Sequence, residues 1–298
     1  MKKLILGLTL MLATMATTAA TADVRVAATV PNMGLLARVV GGEAVDVTVM
    51  APADRDAHYL EARPSMMAAM RRADLVVAVG AELEMGWLPA ALRGANNPAV
   101  QVGRLGYFEG AAHIDLIETG VEADRAGGDV HPAGNPHFYM DPPRMAEVAK
   151  ALADRLASID EANADYFHDN AERFARAVES RMGDWQERVE GAPGAVMYHK
   201  DANYLMRLLE VPVLGYLEPL PGIPPTARHL RELVSRLEGQ KGITLYTDFQ
   251  PSRGADFLER ELGWPSRQLP NQVSPDATRA EEYLEMIDRW VEALASAG

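Results

Sequence analysis

The chain has 298 residues, with 29 Lys and Arg against 42 Asp and Glu, a formal charge of −13 and no cysteine. That acidity argues against nucleic acid or an anionic lipid surface as partner. The missing cysteines exclude a disulfide framework and a lipid-modified N-terminal cysteine.

In chain order, the first 22 residues read as an export signal. Lys2 and Lys3 form the charged start, Leu4 to Thr17 the apolar core, and Ala20-Thr21-Ala22 an Ala-x-Ala cleavage site before Asp23. The apolar stretch is too short for a permanent anchor, and no other segment approaches about 18 uninterrupted apolar residues. A Gram-negative periplasm is the expected location. Removing the signal leaves 27 basic and 42 acidic residues, a charge of −15.

Val24 to Val30 predicts a first strand, followed by a helix over Gly34 to Val40 that Gly41-Gly42 stops. Val45 to Met50 alternates as a second strand, Pro64 to Arg72 is helical, and Leu75 to Val79 is a buried strand. Such alternation predicts parallel βαβ units, in which ligands gather outside the carboxyl ends of the strands. Residues 106–136, rich in Gly, Asp, Glu and Pro, read as a long surface loop containing His113 and His131. Asp141 and Pro142 then cap a helix through Ile159.

A second helical pattern runs from Ala162 to Val189, with Phe167, Phe174, Val178, Met182, Trp185 and Val189 spaced by three, four or seven. It suits a rigid connector between two lobes. The alternation then restarts: strand Ala195 to Tyr198, helix Ala202 to Glu210, strand Val211 to Gly215, and a Pro-rich loop at Glu218 to Pro225. Helix Thr226 to Leu237, strand Ile243 to Thr247, helix Gly254 to Leu262, a strand at Arg267 to Leu269 and a helix from Arg279 to Ala295 complete it. The expected architecture is α/β: two lobes, each a mostly parallel sheet flanked by helices with its own core, joined by a long connector helix. The expected divisions are 23–160, 161–190 and 191–298.

Three histidines sit where an extended segment gives way to a helix-like one: His58 in Asp-Ala-His-Tyr, His137 in Asn-Pro-His-Phe and His199 in Tyr-His-Lys-Asp. Neutral imidazole is the commonest protein ligand for zinc-like ions. Each histidine alone is ordinarily a hydrogen-bonding residue; three at analogous strand ends keep a shared metal equally in play. His168 and His229 read as structural residues within helices. His131 lies six residues before His137, near enough to contact the same ion transiently. Tetrahedral zinc leaves one further position for a carboxylate or water. Asp248, just past the strand Ile243 to Thr247, is the first candidate against a helix-capping role, and Glu218 the second.

At these residues the chain resembles the periplasmic metal-binding proteins of zinc and manganese ABC importers (ZnuA/TroA-like, cluster A-I). The resemblance spans the whole mature chain. It is carried by Val39-Val-Gly-Gly-Glu43, Asp56-Ala-His-Tyr-Leu-Glu-Ala-Arg-Pro-Ser65, Ala73-Asp-Leu-Val-Val77 and Gly80-Ala-Glu-Leu-Glu84. Further on come Asn135-Pro-His137, Met140-Asp-Pro142, His199-Lys-Asp201 and Pro221-Gly-Ile-Pro-Pro-Thr226 before His229-Leu.

The resemblance implies two α/β lobes with metal bound between them. His58 and His137 match the ligands of the first lobe, and His199 the first ligand of the second. Histidine in that third place is similar to zinc-type members, where manganese-type members often carry glutamate. Two departures stand out. The His- and acid-rich loop of many zinc-type relatives is only modest here. The segment Gln268 to Ser274, where several relatives supply an acidic ligand, contains no acid.

The reading is a monomeric binding protein, not an enzyme, that captures Zn²⁺ through His58, His137, His199 and Asp248 and passes it to an inner-membrane ABC permease. A Mn²⁺- or Fe²⁺-binding member of the same family is the alternative. A binder of a metal chelate and a zinc hydrolase are rivals; the hydrolase lacks a His-Glu-x-x-His helix.

Overall fold

The computed structural model describes residues 24–120 and 131–297. The expected export signal and its Ala20–Ala22 cleavage site lie outside the described residues. So does the middle of the 106–136 segment. Among the described residues, no helix is long and apolar enough to cross a membrane.

Strands β1 (Val24–Ala28), β2 (Val45–Val49), β3 (Leu75–Ala78) and β4 (Tyr107–Glu109) form one four-stranded sheet in the order β2-β1-β3-β4. Every pairing in it is parallel. Helices α1 (Pro31–Gly41), α2 (Pro64–Arg72) and α3 (Leu88–Ala95) make the connections. α4 (Pro142–Ile159) leads into α5 (Ala164–Arg188), whose 25 residues span about 38 Å. Strands β5 (Ala195–Met197), β6 (Val213–Tyr216), β7 (Ile243–Thr247) and β8 (Ser266–Leu269) form a second parallel sheet, ordered β6-β5-β7-β8. Helices α6 (Asn203–Leu208), α7 (Ala227–Leu237), α8 (Arg253–Leu262) and α9 (Ala280–Ala295) surround it or follow it. The two α/β sheets and the long helix match the expected class. The two sheets also have the same strand order, so each has its switch point beside its first strand, where ligands of parallel sheets gather.

Three features differ from expectation. The segment expected to be all loop supplies β4, because Phe108 is fully buried and its neighbours pair with β3. α3 escaped the sequence reading; it starts at a proline in its first turn and buries Leu88, Ala91, Leu92 and Ala95 on one face. The lobes do not have independent cores. One continuous apolar cluster runs from β1 and β3 through Leu36, Leu152, Phe174 and Trp290 to Ala195, Met197, Ile243 and Leu245 of the second sheet. A smaller cluster, including Val196, Leu217, Leu233, Leu258 and Trp264, packs separately.

The reason is α9, which leaves the second sheet and packs against α1 and α5. The Trp185 indole N–H donates to Asp288 Oδ1 at 2.6 Å, and Arg181 pairs with Asp288 Oδ2 at 2.9 Å. Polar bonds cross between the halves as well. The Asn32 side chain donates to the Asn271 carbonyl at 2.9 Å and accepts from Val273 N–H at 2.9 Å, and Asn135 donates to the Lys200 carbonyl at 3.0 Å. The carboxyl ends of both sheets are therefore held at a fixed separation.

Candidate metal centre

The loop after β2 brings His58 to the cleft between the sheets. Asp56 Oδ1 accepts from the His58 backbone N–H at 3.0 Å and meets its Nδ1 at 2.7 Å, closing the short turn Ala57–Tyr59. Trp87 pins the same turn by donating to the Ala57 carbonyl at 3.0 Å. His137 opens the turn before α4. Its backbone N–H donates to Asn135 Oδ1 at 2.9 Å, and its Nδ1 lies 2.7 Å from the Tyr139 hydroxyl. His199 follows β5, and its Nδ1 lies 2.8 Å from Glu218 Oε2. That oxygen also accepts from Gly222 N–H at 3.0 Å.

Each Nδ1 is thus occupied by an outer partner, two of them carboxylates, which leaves each Nε2 to face the cleft. An imidazole whose outer nitrogen is held this way has its tautomer and direction fixed for metal binding. Nitrogens of His58, His137 and His199 all lie within 4.8 Å of one another. The His137 and His199 rings stand nearly perpendicular, with centroids 5.4 Å apart. His137 is 3 % exposed, and among the described residues its Nε2 has no hydrogen-bond partner. A buried lone pair without a partner is costly, and a cation offsets that cost.

Burial pushes the His137 pKa well below 6.5, and the neighbouring imidazoles of His58, His199 and His131 push the same way, so His137 is neutral and able to bind metal. For His199 burial also pulls downward. The Glu218 hydrogen bond and the charges of Asp201, Glu218 and Asp56 outweigh it and raise the pKa above 6.5. Asp56 is lowered: burial opposes this, but its bonds and charge contact with His58, helped by His199, prevail. The Tyr139 hydroxyl is raised far above its ordinary range by burial and by Asp201 and Asp56, so it stays protonated.

The cavity between the three rings, with Tyr139, Asp201 and Asn271 in its wall, measures about 20 Å³. That is space for one or two water-sized bodies. A single ion fits there, and a haem or bulky chelate does not. A more open groove of about 570 Å³, which shares Arg55, Asp56 and Phe249 with the cavity, lies at its edge.

Asp248 does not join the three histidines. It is exposed, and the turn after β7 presents Gln250 inward in its place. Gln250 accepts from Thr247 N–H at 2.8 Å and donates to Asp201 Oδ2 at 3.1 Å. Glu218 reaches the site as the support of His199, with its nearer oxygen already engaged. The other histidines have the structural roles expected of them: His168 pairs with Asp154 at 2.9 Å and His229 Nε2 contacts the Tyr216 carbonyl at 2.9 Å. His113 stacks on Phe108 with centroids 4.8 Å apart. His131, by contrast, places Nε2 at 3.1 Å from His58 Nε2.

Sequence reasoning missed Asp56, Tyr139 and Asp201. Asp56 and Tyr139 each lie two residues from a candidate ligand, a spacing at which one turn lets a side chain meet the imidazole. Asp201, in the quoted His-Lys-Asp, is buried and fed by Gln250, which no sequence signal connects to it.

The family model "Zinc-uptake complex component A periplasmic" matches residues 26–297. The high-affinity zinc uptake system protein ZnuA of Yersinia pestis is 24 % identical over 248 residues, 78 % of each chain. Among solved structures, a crystal structure of ZnuA superposes with a TM-score of 0.75 at 20 % identity, covering 91 % of this chain and 99 % of that one. The binding protein FpvC of Pseudomonas aeruginosa, in complex with Mn²⁺, superposes with a TM-score of 0.77 at 22 % identity, covering 92 % and 98 %.

Two parallel sheets facing a three-histidine cleft define a solute-binding protein for a metal ion. The chain belongs to the family of the periplasmic zinc-uptake component A. This is a family of binding proteins and not of enzymes, which removes the hydrolase reading.

Proposed function

We propose that the chain is the periplasmic binding protein of a metal ABC importer, capturing Zn²⁺ between its lobes and handing it to an inner-membrane permease. The observation that carries this reading is His137 Nε2, a buried nitrogen without a hydrogen-bond partner among the described residues, aimed at two further imidazoles. His58 and His137 hold the ion from the first lobe (residues 23–160) and His199 closes the site from the second (191–298), with 161–190 as the connector. An imidazole shell with no carboxylate ligand favours zinc, since manganese sites are richer in oxygen ligands. The protein works as a monomer: its site is assembled from one chain.

The test is competitive titration of metal-free protein with Zn²⁺ and Mn²⁺ against a chelator, on wild type and His137→Ala. One tightly held zinc per chain is expected, with zinc displacing manganese. His137→Ala should lose more affinity than the roughly 10–100-fold that loss of an outer partner costs. Equal zinc affinity in the two proteins would refute the site, and preference for manganese would refute the cargo.

A further inference from the structure

We infer that Asn135 sets the separation of His137 and His199, its side-chain amide gripping the turn of one ligand with its oxygen and the turn of the other with its nitrogen. The inference rests on the capture reading above and adds a positioning residue to it.

Asn135 stands two residues before His137, with Pro136 between them. Proline has no N–H and a fixed φ, so the first amide that the Asn135 side chain can cap is that of His137. Oδ1 accepts from the His137 N–H at 2.9 Å and closes the turn. The other end of the same planar amide crosses between the lobes. Nδ2 donates to the carbonyl of Lys200, the residue after His199, at 3.0 Å. The two atoms cannot exchange places, because a flipped amide would set donor against donor at His137 and acceptor against acceptor at Lys200.

The backbone of Asn135 is held as firmly. Its N–H donates to the Ile117 carbonyl at 2.9 Å, and its carbonyl accepts from the Tyr204 hydroxyl of α6 at 2.7 Å. That hydroxyl accepts in turn from the Ile117 N–H at 3.2 Å. Lys200 is gripped from a second side, since its ammonium donates to Glu118 Oε2 at 3.1 Å. Asn135 is buried, so water competes little for its bonds.

The two ligands are thus joined by a short path through one rigid group, from the His137 N–H through the Asn135 amide to the peptide that follows His199. Tyr139 and Glu218 aim the two rings, whose centroids stand 5.4 Å apart. Asn135 fixes the distance between the backbones that carry them. Glutamine is one methylene longer and would push the turns apart. Aspartate would still accept from His137 but would set a carboxylate against the Lys200 carbonyl. Aspartate therefore breaks the link between the lobes and spares the turn, whereas alanine removes both.

The experiment combines Zn²⁺ competition against a chelator with the visible spectrum of the Co²⁺-loaded protein, which reports the geometry of the ligand nitrogens. The proteins are wild type, Asn135→Asp, Asn135→Ala and Tyr204→Phe. The last removes a bond between the lobes without touching the amide, and measures a merely structural contribution. Metal-free Tm should fall in all three variants. Zinc affinity should fall about tenfold in Asn135→Asp and further in Asn135→Ala, within the roughly 10–100-fold that loss of an orienting group costs. Both should alter the cobalt spectrum, while Tyr204→Phe keeps wild-type affinity and spectrum. In the metal-free proteins, hydrogen exchange should find the His137 amide protected in Asn135→Asp and unprotected in Asn135→Ala. Wild-type affinity and spectrum in Asn135→Asp, or an equal loss in Tyr204→Phe, would overturn this inference and leave zinc capture standing. Failure of wild type to bind zinc would overturn the capture reading itself.

Discussion

Replacing Glu218 with glutamine isolates what holds His199 in place. The carboxylate accepts from His199 Nδ1 at 2.8 Å and from Gly222 N–H at 3.0 Å, and both side chains of the pair are nearly buried, 11 % and 12 % exposed. Glutamine preserves shape and an acceptor oxygen but removes the charge. A hydrogen bond to a charged group contributes about 1.5–3 kcal/mol against about 0.5–1.5 for a neutral one. The loss in orienting the ligand is therefore about 1–1.5 kcal/mol, or about tenfold in zinc affinity at pH 8.

The pH dependence gives the sign. Zinc must displace the proton from His199. Glu218 helps keep that pKa above 6.5, so wild type carries a proton penalty as pH falls through His199's titration. In Glu218→Gln the pKa drops and the penalty begins at lower pH. The advantage of wild type over variant should accordingly be largest at pH 8 and shrink by pH 6. Chelator competition at the two pH values measures it. Equal affinities at pH 8, or a wild-type advantage that grows on acidification, would refute the argument.

Zinc at a hundredfold excess over its dissociation constant should stabilise the folded chain by about 2.7 kcal/mol, a rise of about 5 °C in calorimetric Tm for a protein of this size. Asn271→Asp places a carboxylate in the cavity wall about where the Asn271 amide now meets Asp201 at 3.5 Å. Repulsion should lower the metal-free Tm, metal should raise it by more than in wild type, and competition should show manganese gaining on zinc. Trp290 is fully buried in α9 and donates to the Pro270 carbonyl at 2.8 Å. Trp290→Ala should cost about 3–5 kcal/mol in urea unfolding, and a loss under 1 kcal/mol would mean that α9 does not knit the two halves together.

The strand–helix alternation revealed the class of fold because it depends on local periodicity, and β7 and α2 fall on their expected boundaries, Ile243–Thr247 and Pro64–Arg72. His58 and His199 were legible for a related reason: strand ends in parallel sheets converge, so residues in the loops after β2 and β5 are candidates for one site. His137, by contrast, follows no strand and lies on the segment that leads into α4. The same logic failed at Asp248, since knowing that a turn follows β7 does not say which of its residues turns inward, and Gln250 does. The shared core was illegible because it depends on α9 returning across α1 and α5. The apolar face of that helix looks the same whichever lobe it covers. β4 was lost because three residues with one buried phenylalanine carry too little pattern to mark a strand.

The two sheets share one strand order although no repeat is visible in the sequence, and the site uses that likeness unequally. His58 follows β2, the edge strand of the first sheet, and Glu218 follows β6, its counterpart in the second. Equivalent loops thus supply a candidate ligand in one lobe and the support of a ligand in the other. His199 follows β5, whose counterpart β1 is followed by Thr29 and Asn32. Asn32 spends its side chain on the Asn271 carbonyl and Val273 N–H of the opposite lobe. The first lobe therefore uses its central loop to fix the cleft width and takes its imidazoles from β2 and the segment before α4. The second lobe uses its central loop for the imidazole and its edge loop to aim it. A cleft fixed by Asn32, Asn135 and α9 leaves little slack for a ligand to swing, so selectivity among ions has to come from the donor atoms and the size of a cavity of about 20 Å³.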